Sequence, residues 1–183
     1  MTDAKTPDVP NWPHEPRPEH AWSALGNVSD WIRHGDAKIG VTLAFSAGAG
    51  ALLFNLFDGA KSPGCAATVF GVVSAIALVA SSAFAIVGLI PQVRVGRKKE
   101  PEKYANLLFY RHIARGWQDD TPDFVFKLGA LTMDNQELTK HLGEQIHANA
   151  LVATRKYAWA DRAIKGLAIG LLFLALAATA VVW

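Results

Sequence analysis

Asn106, Arg111, His112, Gln145, His147, Asn149 and Arg155 are the side chains of this sequence best suited to holding an anionic ligand such as a nucleotide. The guanidinium groups of Arg111 and Arg155, with Arg115 beside them in sequence, match phosphate oxygens, while amides can read the edge of a base. Phe109, Tyr110 and Tyr157 offer flat faces on which a base can stack. Each residue also has a plain structural reading, because Arg and Tyr near a membrane commonly contact headgroups or pair with local carboxylates. Metal chemistry is not expected. His141 and His147 are six residues apart, off the spacing of three or four that puts two ligands on one helix face. There is no HExxH, GxGxxG or P-loop lysine motif, and His112 with Asp119 or Asp120 has no evident nucleophile to activate. The chain therefore reads as a non-enzyme with no cofactor.

The elements that position these residues follow from hydropathy. Of the 183 residues, 51% are hydrophobic and only 19% charged, and the formal net charge of +2 implies no nucleic-acid partner. Residues 1–21 form a proline-rich tail, with Pro7, Pro10, Pro13, Pro16 and Pro18 forbidding a stable helix. A first helix is expected from about His20–Trp22 through Val28, Trp31 and Ile32 toward the membrane. Residues 39–57, 65–90 and 166–183 carry no charged side chain and are long enough to cross a hydrocarbon core of roughly 30 Å. The fold class expected is an all-α membrane protein: three transmembrane helices, with helical cytosolic residues 91–165 between the second and third. The single Cys65 rules out an intrachain disulfide, and residues 1–37 contain no apolar signal-peptide core.

Orientation comes from where Lys and Arg lie. The link between the first two spans offers Lys61 against Asp58, whereas Arg33, Lys38, Arg94, Arg97, Lys98, Lys99 and Lys103 flank the other ends. Arg155, Lys156, Arg162 and Lys165 precede the third span. The bias places the N-terminus and residues 91–165 in the cytosol, with Trp183 at the outer interface. Pro91 ends the second span, and Glu102–Trp117 reads as a helix apolar on several sides. Asp119–Asp123 with Pro122 reads as a turn before a short apolar segment around Phe124–Leu131. Asp134 is the expected N-cap of the last helix, with Glu137 as capping-box partner. Leu138, Leu142, Ile146, Ala150, Ala153, Tyr157, Ala160 and Ile164 form its apolar stripe. With no proline to interrupt it, that helix is expected to continue into the third span.

Inside the membrane, Gly40, Ala44 and Gly48 are spaced to let backbones approach, either as an oligomer seam or between spans of one chain; Ser46 and Gly50 share the spacing. No span holds an ionisable residue at mid-depth, which disfavours a proton-coupled transporter. A pore built by several chains would draw on Ser46, Thr68, Ser74, Ser81 and Ser82, although hydroxyls in spans usually bond to their own helix. Asn55, near the outer end, is expected to be hydrated.

Three stretches carry a family resemblance: Trp31-Ile32-Arg33-His34-Gly35-Asp36-Ala37-Lys38 at the entry to the first span, Asn106-Leu107-Leu108-Phe109-Tyr110-Arg111-His112-Ile113-Ala114, and Gln145-Ile146-His147-Ala148-Asn149-Ala150 followed by Arg155-Lys156-Tyr157. With the helix order, residues 22–183 resemble the membrane effectors of Pycsar antiphage defence. The resemblance implies a bacterial inner-membrane protein answering cyclic CMP or cyclic UMP, made by a partner pyrimidine cyclase. The response it implies is membrane damage and abortive infection. On this reading the cytosolic helices bind the messenger, the Asp134–Ile164 helix repacks, and homo-oligomers held partly by Gly40, Ala44 and Gly48 open the bilayer. The competing reading is a non-enzymatic membrane adaptor that recruits a cytosolic partner.

Overall fold

The computed structural model describes residues 15–60, 63–90 and 106–182, with only the backbone of Arg111. Several expectations lie outside the described residues: Pro7, Pro10 and Pro13 of the tail, Lys61, Pro91 with the basic residues that follow it, the start of the Glu102–Trp117 segment, and Trp183. The elements are α1 (Pro18–Asp58), α2 (Cys65–Leu89), α3 (Tyr110–Gly116), α4 (Thr121–Met133) and α5 (Asn135–Val182), and no strand occurs among the described residues. Three of them, α1, α2 and α5, are long and apolar enough to cross a membrane.

Local chemistry accounts for where the helices begin. Pro18 opens α1 at the first helical position, where its missing N–H is no loss, and Glu19 adds a carboxylate to the positive end of the helix dipole. Asp134 caps α5 as expected, accepting from the N–H groups of Gln136 (2.9 Å) and Glu137 (3.0 Å). The reciprocal half of a capping box is not made. The Asp134 N–H bonds to the Leu131 carbonyl at the end of α4, and Glu137 turns to Lys140 instead.

The Asp119–Asp123 region departs from the expected turn. Asp120 accepts from the Asp123 N–H at 3.1 Å, and Thr121 and Pro122 become the first residues of α4, a thirteen-residue helix in place of a short apolar segment. The expected helix through Asn106–Phe109 is also corrected. The Asn106 side-chain oxygen accepts the Leu108 N–H at 2.9 Å, an Asx turn that competes with helix formation and delays α3 to Tyr110.

The chain divides into two compact units, each with its own core. The first takes in α1 up to Asn27, α3, α4 and α5 up to Ala148; its core is Leu131, Leu138 and Leu142, with Ala21, Leu25, Leu107 and Leu108 against them. The second takes in α1 from Val28, α2, and α5 from Asn149.

In the second unit, α2 buries Ala67, Gly71, Ser74, Leu78, Ser81, Ala85 and Gly88, alternating steps of four and three. On α1 the buried positions Gly35, Ile39, Thr42, Ser46, Ala49 and Leu53 keep the same rhythm. On α5 they are Ala153, Ala160, Ala163, Gly170 and Ala177. A seven-residue rhythm of small side chains lets helices pack closely along a coiled-coil-like seam. Large residues face outward: Val79 and Phe54 are each 70% exposed and Phe45 62%. Small inside and large outside is the arrangement that lipid tolerates and water does not. The stripe read along α5 shifts accordingly at its end, where Ala163 is buried and Ile164 is 44% exposed.

Glycines mark the closest approaches in this unit. A Cβ on Gly170 would fall 2.6 Å from Leu78, and one on Gly88 would fall 2.9 Å from Ile39 and 3.0 Å from Trp159. Gly40 and Gly48, by contrast, have nothing within 4 Å, and with Ala44 they are exposed. The intrachain seam runs one or two positions earlier on the helix, through Ile39, Thr42 and Ser46.

Candidate functional site

In the first unit, Asn106 is the polar hub. It is only 5% exposed, and its amide donates to the His141 carbonyl (2.9 Å) and to Glu144 Oε2 (2.9 Å) while its oxygen closes the Asx turn. Two imidazoles hold the same turn from outside: the Asn106 N–H donates to His112 Nδ1 at 3.0 Å and the Leu107 N–H to His141 Nδ1 at 3.3 Å. Each ring thus serves the turn as an acceptor through Nδ1. Burial lowers the pKa of His141, against the opposing pull of the Glu144 and Glu137 carboxylates. Phe109 lies beside Tyr110 with the rings tilted (5.1 Å) and meets His112 edge-on (5.0 Å), so two of the three aromatic residues proposed for a base gather at this turn, while Tyr157 belongs to the second unit.

Next to α4, Trp117 donates to Asp123 at 2.7 Å and Lys127 pairs with the same carboxylate at 2.8 Å. Those two donors, Lys127 first, hold the Asp123 carboxyl below its ordinary range. Asp120, once weighed as a partner for His112, serves instead as the cap of α4.

In the second unit, two of the motif stretches meet crosswise. Lys156 pairs with Asp36, and the Lys38 ammonium lies 5.1 Å from the centroid of the Tyr157 ring. The Lys156 side chain is 15% exposed, so it meets that carboxylate largely shielded from water. Gly35 lies against this pair, where a Cβ would be in ordinary contact with Lys156 Cβ at 3.5 Å. Closer to the spans, Trp159 packs on Phe84 (6.0 Å) with the Arg162 guanidinium over its ring (4.5 Å).

Deeper still, hydroxyls tie the three helices. Ser46 and Ser81 lie 3.0 Å apart, Ser81 donates to the Ala163 carbonyl at 2.7 Å, and Ser74 donates to the Gly170 carbonyl at 2.8 Å. Ser46, Ser74 and Ser81 are thus interior to the bundle, not on a surface that lines a pore. Thr68 bonds to Gly64 of its own segment, and Ser82 is half-buried.

The ligand candidates distribute as follows. Asn106 and His112 share one network; Gln145, next to Glu144 in sequence, is buried, and His147 is exposed on the same stretch of α5. Asn149, half-buried, and Arg155, exposed, belong to the second unit. The Arg155 side chain borders a cleft of about 20 Å³ with Lys156 and Trp159, room for one water and not for a nucleotide. Sequence reasoning missed His141, Glu144 and the Ser74/Ser81 contacts as structural ties. Asp36 and Lys156 stood in the motif stretches, but no spacing rule links residues so far apart in sequence.

The family model for the Pycsar effector protein domain matches residues 20–183, a stretch that takes in both the Asn106 hub and the Asp36–Lys156 pair. The chain belongs to the Pycsar effector family. It is similar to the Pycsar effector protein PtPycTM of Propioniciclava tarda, 32% identical over 167 residues that cover 90% of this chain and 81% of that protein. No solved structure matches. As a family member with three apolar long helices, this Pycsar effector is a multi-pass membrane protein of antiviral defence, and its family is not a known enzyme family.

Proposed function

We propose that this chain answers cyclic CMP or cyclic UMP from a partner pyrimidine cyclase by impairing the bacterial inner membrane, so that infection is aborted. The N-terminus and residues 91–165 face the cytosol in this reading, as the Lys and Arg distribution favours. The observation that carries it is α5 itself: one helix from Asn135 to Val182 holds His141 and Glu144 of the hub, Lys156 of the ion pair, and the third apolar span. A messenger that competes for the Asn106 turn, drawing on Arg111, His112, Gln145 and His147, acts on the same element that crosses the bilayer. Membrane damage by a three-span chain requires assembly. The exposed Gly40, Ala44 and Gly48 face, beside an apolar groove formed with Phe45, Leu52 and Leu171, supports a second copy packing there.

The test is dye release from liposomes holding the full-length protein, with binding of each cyclic nucleotide measured in parallel. Release with a cyclic pyrimidine nucleotide and not with cyclic AMP is expected. Absence of both binding and release overturns the reading.

One observation favours the adaptor reading as an alternative. On α4, Val125 (60% exposed), Phe126 (76%) and Met133 (90%) share a face with Ala130 at helical spacing. An apolar face of this kind suits a protein partner. If Phe126→Ser abolishes defence while leaving nucleotide-triggered dye release intact, recruitment and not leakage is the activity.

A further inference from the structure

The basic end of the second unit holds cations that are mostly accounted for. Arg33 pairs with Asp30, Lys156 with Asp36 and Lys165 with Asp161, and Lys38 lies over Tyr157. Arg155 and Arg162 have no carboxylate partner among the described residues, and the Arg162 guanidinium lies over the Trp159 ring. Both border Trp159, at positions four before and three after it, so the three side chains form one stripe on α5. The indole N–H likewise has no hydrogen-bond partner among the described residues.

The depth of this stripe is set by α2. That helix is apolar through Ile90, and its last buried residue, Gly88, sits so close to Trp159 that an added Cβ would lie 3.0 Å from the Trp159 Cβ. Trp159 is therefore level with the final apolar turn of α2, where hydrocarbon gives way to headgroups and where an indole is favoured. The cleft beside it has Val87, Ile90 and Val152 on its apolar side and Arg155 on its polar side.

We infer that Arg155, Trp159 and Arg162 form a binding site for the headgroup of an anionic phospholipid. The two guanidinium groups flank the phosphodiester, the indole N–H donates to a headgroup oxygen, and an acyl chain runs along Val87 and Ile90. Charge complementarity selects this occupant. A zwitterionic lipid brings a cation that two arginines repel, and a free nucleotide would leave the apolar side of the cleft uncovered. The inference does not depend on the messenger reading.

Native mass spectrometry of the full-length protein in detergent, titrated with phosphatidylglycerol or phosphatidylcholine, tests it. Phosphatidylglycerol is expected to bind more tightly, with Arg155→Gln and Arg162→Gln each weakening it about five-fold and the double variant about 25-fold. Arg115→Gln, an equal loss of charge in the first unit, leaves lipid binding unchanged, and unaltered melting temperatures show that the variants fold. Equal affinity for the two lipids, or a double variant that binds phosphatidylglycerol like the parent, overturns the inference. So does displacement of the lipid by cyclic UMP at equimolar concentration, which would make the site one for soluble phosphodiesters.

Discussion

The two units of this chain solve the same problem, holding helices together, with opposite side chains. In the first, α5 buries Leu138 and Leu142 against Leu131, and the polar groups at the Asn106 turn are matched one by one. In the second, the same helix buries Ala160, Ala163, Gly170 and Ala177 and sends Ile169, Leu171 and Leu172 outward. Water rewards burying large apolar groups, so size is favoured inside. Lipid offers no such reward, and what remains is close approach and interhelical hydrogen bonding, which small residues and hydroxyls supply. One helix changing its rule part-way along marks where its solvent changes.

The sharpest way to break this comparison is Leu142→Ala. It should destabilise the first unit by about 2–5 kcal/mol, as buried Leu truncations do. Hydrogen exchange should quicken in α3 and α4, while α2 amides keep their protection. Asn106→Ala comes next, at about 2–3 kcal/mol, because several hydrogen bonds are lost and buried partners are left unmatched. Exchange at Leu108 is its readout. In the second unit Gly170→Val should cost about 1–3 kcal/mol by forcing Leu78 aside. Resistance to unfolding in detergent would fall, with the Leu107 and Leu108 amides unaffected. Ser81→Ala removes the hydrogen bond to the Ala163 carbonyl together with the contact to Ser46 and should cost only about 0.6–1.7 kcal/mol in the same assay.

The smallest effect is a pH dependence confined to the first unit. His141 has a folded pKa below its ordinary 6.5, so the unfolded state binds its proton first. Its contribution to stability is complete above that value and is lost as pH falls from it toward the folded pKa. Exchange at Leu107, corrected for its intrinsic rate, should therefore report more opening below about pH 6.5, and His141→Gln should flatten the response. A pH response in α2 amides would contradict the division between the units.

Much of the architecture could be read from residue order, because a charge-free stretch of span length has few alternatives. Asp134 as a cap and the unbroken run into the third span were legible for the same reason: capping and proline act locally. What periodicity could not do was choose a face. Gly40-x-x-x-Ala44-x-x-x-Gly48 and Gly166-x-x-x-Gly170 are equivalent strings, yet the first is outward and the second packs on Ser81 and Leu78. In lipid both faces of a span are apolar, so hydrophobic pattern carries no information about which is inside. The Asn106 turn was hidden differently. Its apolar neighbours suggested a helix, and the Asx turn that interrupts it is anchored by His141 and Glu144, 35 and 38 residues on. The candidate ligand residues were chosen by chemical type, which cannot say that Asn106 and His112 already serve one another.

The serine contacts across the bundle have a consequence for water. With Ser46, Ser74 and Ser81 already engaged with neighbouring helices, the interior offers water molecules no chain of polar footholds from one leaflet to the other. On the proposed function, any opening of the bilayer therefore has to come from rearrangement of these contacts.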